Sequence, residues 1–243
     1  MTGCSYQLVS PPARMVNLES AHSAAAGETI VGAKGAAYTA VFDAGIAVGS
    51  AVVRHGVGHH VEVDAEATYV RVVNADYREI DRNIYAARGG FKMSNAGEWA
   101  AVFGGVGGGL SPAAGGFAAV DFGAVVSYPS CYAVPFLGVA AFGSQPLAAK
   151  RVDFRTPDGS LVAYDTANLT FGMGADMGLE IPLDRDRCRQ GLTPARIQLG
   201  FAMNLLRPVD GEPRLANGDA GQLTTQGKTF GALGLAAGVE FPF

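Results

Sequence analysis

Carboxylates recur at every second position in several stretches of this chain, and that spacing limits what chemistry they can do. Glu62, Asp64 and Glu66 share one face of the run Val61–Tyr69, with Val61, Val63, Ala65, Ala67 and Tyr69 on the other. Asp43, Asp121, Asp176, Glu180 and Glu240 occupy the polar faces of similar alternating runs. Residues two apart on a strand point the same way, so these acids must face an interior or a solvent path. A buried carboxylate without a partner is costly and either protonates or finds a donor. Three readings fit. In the first, the acids pack a narrow polar interior with Thr170, Gln198, Asn204 and water. In the second, they line a thin pore that prefers cations. In the third, Glu62, Asp64 and Glu66 supply oxygen ligands to a metal. The metal ranks last, because alternate residues of one strand spread over several ångströms instead of enclosing an ion. The packed interior ranks first.

Among inward-facing bases only Arg196 stands out. A hairpin centred near Cys188 sets it directly across from Glu180, predicting an ion pair. A first hairpin centred on Val57-Gly58 sets Glu66 opposite Gly49 and Asp64 opposite Ala51, where small residues make room for the acids.

Other chemistry is thinly represented. His55, His59 and His60 cluster in sequence and could titrate near neutral pH or bind a transition metal, but no cysteine lies near them. No Cys/His spacing suits structural zinc, and no G-x-S-x-G is present. The glycine run Gly104–Gly109 lacks the lysine and following helix of a phosphate loop. It reads instead as a strand whose glycines permit curvature or close packing. A net charge of −4 without a basic stripe argues against nucleic acid. No metal, cofactor or catalytic residue is assigned, and the chain is expected to be non-enzymatic.

The elements that must carry these residues are strands. Charged residues make up 16% of the 243 and apolar residues 49%, a surplus of apolar side chains that must face something. The longest apolar run, Trp99–Leu110, is too short for a helical membrane span and full of glycine. A chain rich in apolar residues but lacking an apolar helix suits a transmembrane barrel, whose strands show lipid every second residue. Alternation predicts strands at Tyr38–Arg54, Val61–Tyr69, Glu98–Leu110, Gly116–Tyr128, Tyr132–Phe142, Asn168–Ile181 and Ala195–Leu205, with a last one ending at Phe243. The stretch Arg71–Lys92 is read as a polar connection. Thr156-Pro157-Asp158-Gly159 is a hairpin turn signal between two short alternating runs. The expected fold is all-β: a closed antiparallel up-and-down transmembrane barrel of about eight strands over residues 38–243. Residues 1–37 are read as an N-terminal leader or tether.

The terminal strand places Leu233, Leu235, Ala237, Val239, Phe241 and Phe243 on one face. Its ending, with Gly238, Phe241 and Phe243, resembles the assembly signal of bacterial outer-membrane β-barrels. The chain as a whole resembles small eight-stranded barrels of the outer-membrane-protein-A and W types. The resemblance is architectural and transfers no catalytic or binding residue. It implies a place in the outer membrane of a Gram-negative envelope, with membrane lipids and the barrel assembly machinery as partners. Other envelope proteins are further candidate partners. An even strand number puts both chain ends on the periplasmic side. The long segments Gln145–Ala167 and Arg207–Lys228 then face outward, as does the histidine turn. Cys131 and Cys188 both fall in periplasmic turns, where an oxidising compartment favours a disulfide. Thr2-Gly3-Cys4 resembles the end of a lipobox, which makes Cys4 a candidate lipidation site and the chain a candidate lipoprotein. The leading expectation is an envelope structural or interaction role exerted through the loops. The alternatives are a narrow porin-like channel or carrier for small cations or apolar solutes and, behind it, a lipid-modifying enzyme.

Overall fold

The computed structural model describes residues 10–40, 45–73, 83–112, 115–149, 151–155, 161–165, 168–209, 214–215 and 229–243. Alternation between a lipophilic face and a small or polar face builds long strands: β1 (Thr29–Ala40), β2 (Gly45–Gly58), β3 (Val61–Val73), β4 (Asn83–Ser94), β5 (Ala100–Ser111) and β6 (Gly115–Ser127). They continue with β7 (Val134–Ala149), β10 (Thr170–Pro182), β11 (Arg196–Pro208) and β13 (Phe230–Pro242). These ten close a barrel in the order β1-β13-β11-β10-β7-β6-β5-β4-β3-β2. Every pairing is antiparallel, and the seam joins the first and last strands, with Ala36 opposite Ala236. Closure leaves no free strand edge. The short strands β8 (Arg151–Arg155), β9 (Leu161–Asp165) and β12 (Arg214–Leu215) form a separate three-stranded sheet. In it, β8 and β9 pair across the expected 156–159 turn, which itself lies outside the described residues.

The count is ten, not eight, and the two additions have different physical origins. The predicted strand Tyr38–Arg54 is two strands, ending at Ala40 and restarting at Gly45. Tyr38 pairs with Ile46, so both strands turn even-numbered residues inward and alternation runs unbroken across the hairpin. Strand β1 therefore takes in residues 29–37, which were assigned to the leader. Strand β4 lies in the stretch read as a connection. Its outward residues Tyr85, Phe91 and Met93 are apolar, but its inward face holds Arg88 and Lys92. Those charges made a strand look like a loop.

The register of β2–β3 also differs from expectation. His59-His60 forms the turn, placing Arg54 opposite Asp64 and Val52 opposite Glu66. A register that set Gly49 against Glu66 would have paired an outward residue with an inward one.

The barrel has two unlike rims. At one, strands join through His59-His60, Asn95–Trp99, residues 128–133 and residues 183–195, and β13 ends. The last of these connections carries the one-turn helix α1 (Arg185–Arg189), whose N-cap Asp184 accepts from Asp186 N and Arg187 N. The other rim carries the longer connections between β7 and β10 and between β11 and β13. These are called here the short-turn rim and the long-loop rim. The histidine turn belongs to the short-turn rim with Phe243, not to the opposite face as expected.

Outward faces are apolar along the strands, with Val106, Phe122, Met173, Met177, Phe201 and Leu235 each more than half exposed. The outward charges among the described strand residues, Arg71 and Arg207, both sit at the long-loop end. Trp99, Tyr128 and Tyr132 are exposed at the short-turn rim, while Tyr69 and Tyr85 meet in a tilted pair, centroids 5.4 Å apart, toward the other.

Candidate functional site

The interior of the barrel is occupied by the chain's own N-terminal segment. Residues 10–28 run through it without regular secondary structure, and Ser10–Ala21 are buried throughout. At the long-loop rim, the Ser10 N–H donates to Thr170 Oγ1 at 2.9 Å, and Ser144 Oγ donates to Pro11 O at 2.6 Å. Lower down, Tyr38 OH and Asn204 Nδ2 both donate to Met15 O, at 2.7 and 3.0 Å. Met15, Val16, Leu18 and Ala21 pack with Tyr38, Ile46, Val48, Val125 and Phe136 from the wall. At the short-turn rim the Ala21 N–H donates to Ser127 Oγ, and the Ala24 N–H to Glu62 Oε2 at 2.6 Å. The segment then turns at Gly27, whose N–H donates to Gly56 O, and enters β1. Any Cβ at Gly56 would stand 2.1 Å from Ala25 O, so that position requires glycine for the two backbones to meet.

This plug explains the inward acids. Glu19, in the plug, receives Arg14, Lys34 at 2.7 Å and Lys92 at 3.6 Å. Glu62 takes Lys92 at 3.0 Å and Arg54 at 3.1 Å, and Arg54 also binds Glu240. Glu66 pairs with Arg14 at 3.1 Å. Arg88 bridges Asp64 and Asp121, its Nε donating to Asp121 Oδ2 at 2.7 Å. Its guanidinium lies flat across Gly105, where a Cβ would come within 2.4 Å of it. Arg196 meets Glu180 at 2.6 Å, although Arg196 is opposite Pro182 and reaches Glu180 diagonally. Asp176 accepts from the backbone N–H of Asn17.

The expected scarcity of inward bases is therefore corrected: Arg14, Lys34, Arg54, Arg88 and Lys92 join Arg196. All five were missed because they lie in the leader, in the connection or on the merged strand. Arg14 and Glu19 carried no periodic signal at all, since the plug is not a strand. Glu62, Asp64 and Glu66 do not converge; each is taken by a different cation. Among the described residues no group of three His, Cys, Asp or Glu side chains is placed to hold a metal. A small gap beside the plug, between Arg14, Asn17, Phe142 and Asp176, measures about 20 Å³, room for about one water.

The short-turn rim is tied to the plug. His22 Nδ1 bonds Glu98, and His60 lies 3.7 Å from the same carboxylate. Burial, together with the Arg196 charge, holds the His22 pKa below its usual value in spite of Glu98. Burial works to raise the Glu98 pKa, but the His22 hydrogen bond and nearby positive charge carry it below the usual carboxylate value. Glu28, at the plug's exit, accepts from Arg187 Nη2 at 3.0 Å and from the Thr193 N–H at 3.2 Å. A disulfide joins Cys131 and Cys188 across two turns, with Cα atoms 5.6 Å apart. Their surroundings form a cleft of about 860 Å³ lined by His22, His60, Glu98, Pro129 and Arg196. His55 stands apart on the outer face, bonded to Thr29 Oγ1 at 3.0 Å. Gly238 faces inward between Gln198 and Lys34, while Phe241 and Phe243 face outward. Cys4 and Asp43 lie outside the described residues.

These observations define an all-β closed antiparallel up-and-down barrel of ten strands filled by its own N-terminal segment. No protein-family model matches the chain, and no curated protein matches it by sequence. Among solved structures it is similar to the β domain of the Bordetella autotransporter BrkA, with TM-score 0.42 and 11% identity over 89% of this chain and 99% of that one. The translocator domain of the autotransporter NalP from Neisseria meningitidis gives TM-score 0.41 and 11% identity over 91% and 90%. Neisserial surface protein A gives 0.34 and 13% over 89% and 96%. Scores this low carry no inference about role.

Proposed function

We propose that this chain is a non-enzymatic outer-membrane barrel, closed by its N-terminal plug, whose role in the envelope is structural or interactive and is exerted from its loop-bearing rim. The observation that carries the reading is the pairing of an apolar outer surface with a filled, charge-compensated lumen. An outward band without charge, flanked by aromatic residues near both rims, suits a bilayer. A lumen in which each inward acid among the described residues meets a cation or a backbone donor suits a plug that stays in place. Outer-membrane lipids and the barrel assembly machinery are the partners this implies, the latter through Gly238, Phe241 and Phe243. By the same reading the short-turn rim with its disulfide faces the oxidising periplasm. Eight-stranded interiors are filled by wall side chains alone. Ten strands leave room for one extended chain, and that chain is present, so the channel reading is not favoured.

The test is gel migration of detergent-extracted protein, unboiled and boiled, followed by planar-bilayer recording. A heat-dependent shift with no steady conductance is the expected pair of results. A shift accompanied by stable open-channel current would replace the plugged-barrel reading with the channel. Protein that partitions as soluble and shows no shift would defeat both.

A further inference from the structure

Two buried polar atoms in the cleft of the short-turn rim are left without partners. Arg196 is 3% exposed and spends Nη1 on Glu180 at 2.6 Å, but its Nε meets no acceptor among the described residues. His22 bonds Glu98 through Nδ1, and its Nε2 is likewise unpartnered. A buried polar group without a hydrogen bond is costly and calls for an explanation. Both residues line the same cleft of about 860 Å³, within the roughly 300–1,000 Å³ of small-molecule sites. Glu98 and His60, which also line it, are the non-glycine residues with positive φ among the described ones, at 52° and 63°. Glycine would hold both turns more easily. The chain keeps two cleft-lining side chains there instead, a placement typical of sites that bind.

The two orphan atoms have opposite needs. Glu98 is ionised and accepts, so the proton of the neutral His22 ring sits on Nδ1. Nε2 is then an acceptor, whereas Arg196 Nε–H is a donor. An anion entering the cleft would suit Arg196 but face Glu98 and Glu180. A cation would suit those acids and leave the Arg196 donor unmet. A neutral group that accepts and donates at once satisfies both atoms, and hydroxyls and amides do this. The rest of the lining separates the two. Pro129, Pro182, Leu192 and Pro194 supply aliphatic surface with no Phe, Tyr or Trp among the lining residues. The closed barrel offers no free edge to which an extended peptide could add as a strand. Aliphatic surface suits the C–H faces of a sugar ring, and Glu98 Oε1, 3.7 Å from His60 Nδ1, can accept from a second hydroxyl. We propose that the short-turn cleft binds a neutral saccharide, one hydroxyl of which bridges Arg196 Nε and His22 Nε2. Ala24 and Ala25 of the plug line the same cleft, so the sugar rests against plug and wall together. The site goes beyond the plugged-barrel reading and stands apart from the membrane.

Saturation-transfer NMR on the full-length protein tests this, in a detergent without a sugar headgroup that would compete. Maltotriose and triacetylchitotriose are the probes, set against trigalacturonate and acetyl-trialanine amide. Saturable transfer to at least one of the two neutral sugars is expected. Transfer to neither overturns the proposal, and tighter binding of the anionic sugar or of the peptide overturns it in favour of that ligand. Arg196→Lys keeps a cation for Glu180 but removes the Nε–H, and should weaken binding at least tenfold. Because that residue is buried in an ion pair, Glu98→Gly is the second variant. Glycine suits the backbone there, so the barrel should keep its heat-dependent gel shift while binding falls at least tenfold. An intact Glu98→Gly barrel that binds the sugar as the parent does overturns the proposal. Sugar binding by protein that shows no heat shift would defeat the membrane reading and support the site.

Discussion

The two rims of this barrel solve different problems with the same strands. At the short-turn rim one pair of connections is bridged by Cys131–Cys188, and His22, Glu28 and Thr193 tie the plug to the wall. At the long-loop rim the plug is held by hydroxyl and backbone contacts at Ser10, Pro11, Ser144 and Thr170, without an ion pair among the described residues there. The contrast teaches that closure is anchored from one side. Ion pairs hold the short-turn half of the plug, and neutral hydrogen bonds hold the long-loop half.

The sharpest way to break that contrast is to remove the plug. Deleting residues 10–25 should turn a silent barrel into a conducting one in planar bilayers. A modest cation preference is expected, since the wall acids Glu62, Asp64, Glu66, Asp121, Asp176, Glu180 and Glu240 outnumber Lys34, Arg54, Arg88, Lys92 and Arg196. A deletion variant that shifts on heating but stays silent would show that the wall closes itself.

Next is Glu19→Gln, which strips the common partner from Arg14, Lys34 and Lys92. Breaking a buried ion pair on one side costs about 3–5 kcal/mol. Thermal unfolding should fall accordingly, and open-channel bursts should appear. Asp121→Asn, which leaves Arg88 its Asp64 partner, should cost clearly less, and an equal cost would dissolve the distinction between the plug and the wall.

Smaller again is the disulfide. Reduction, or Cys131→Ser with Cys188→Ser, should lower stability by about 2 kcal/mol, the low end for native bridges. Strands β7 and β10, which carry the two turns, are already paired, with Val134 opposite Glu180. The loss should appear as faster amide exchange in residues 183–195, with Ser10–Met15 unaffected.

The smallest effect is that of pH. The folded His22 has a pKa below its usual 6.5, so its contribution is complete above that value and is lost as pH falls through the folded one. Glu98, lowered from 4.5, contributes above 4.5 and loses its contribution in more acid solution. Both signs make acid loosen the short-turn rim. Protection of the Ala21–Gly27 amides, after correction for intrinsic exchange rates, should therefore fall between pH 7 and 5, and His22→Gln should blunt the change.

How much of this was readable from sequence depended on contrast between faces. Strand β10 was plain because Phe171, Met173, Met177 and Leu179 alternate with Thr170, Asp176 and Glu180. The inward placement of Glu62, Glu66 and Glu180 followed from the same rule. Strand β1 hid because Gly32, Ala33, Gly35, Ala36 and Ala37 are small on both faces, so alternation there carries almost no hydropathy signal. The plug had no signature of its own. Its apolar residues fit a cylinder of wall atoms, not one side of a helix or sheet, and no period in sequence encodes that surrounding.

The seam between β1 and β13 has a consequence for the order of assembly. It joins residues about as far apart as this chain allows, so it carries the largest loop-closure cost and is expected to form late. The plug is attached directly to β1, and Ser10–Ala21 are buried among the wall residues throughout. Threading a segment that carries Arg14, Asn17 and Glu19 through a closed ring would require stripping these polar side chains of partners along the way. The N-terminal stretch must therefore lie against the still-open sheet before its two outermost strands zip together. Every copy that reaches the folded state has enclosed its own N-terminal segment while doing so.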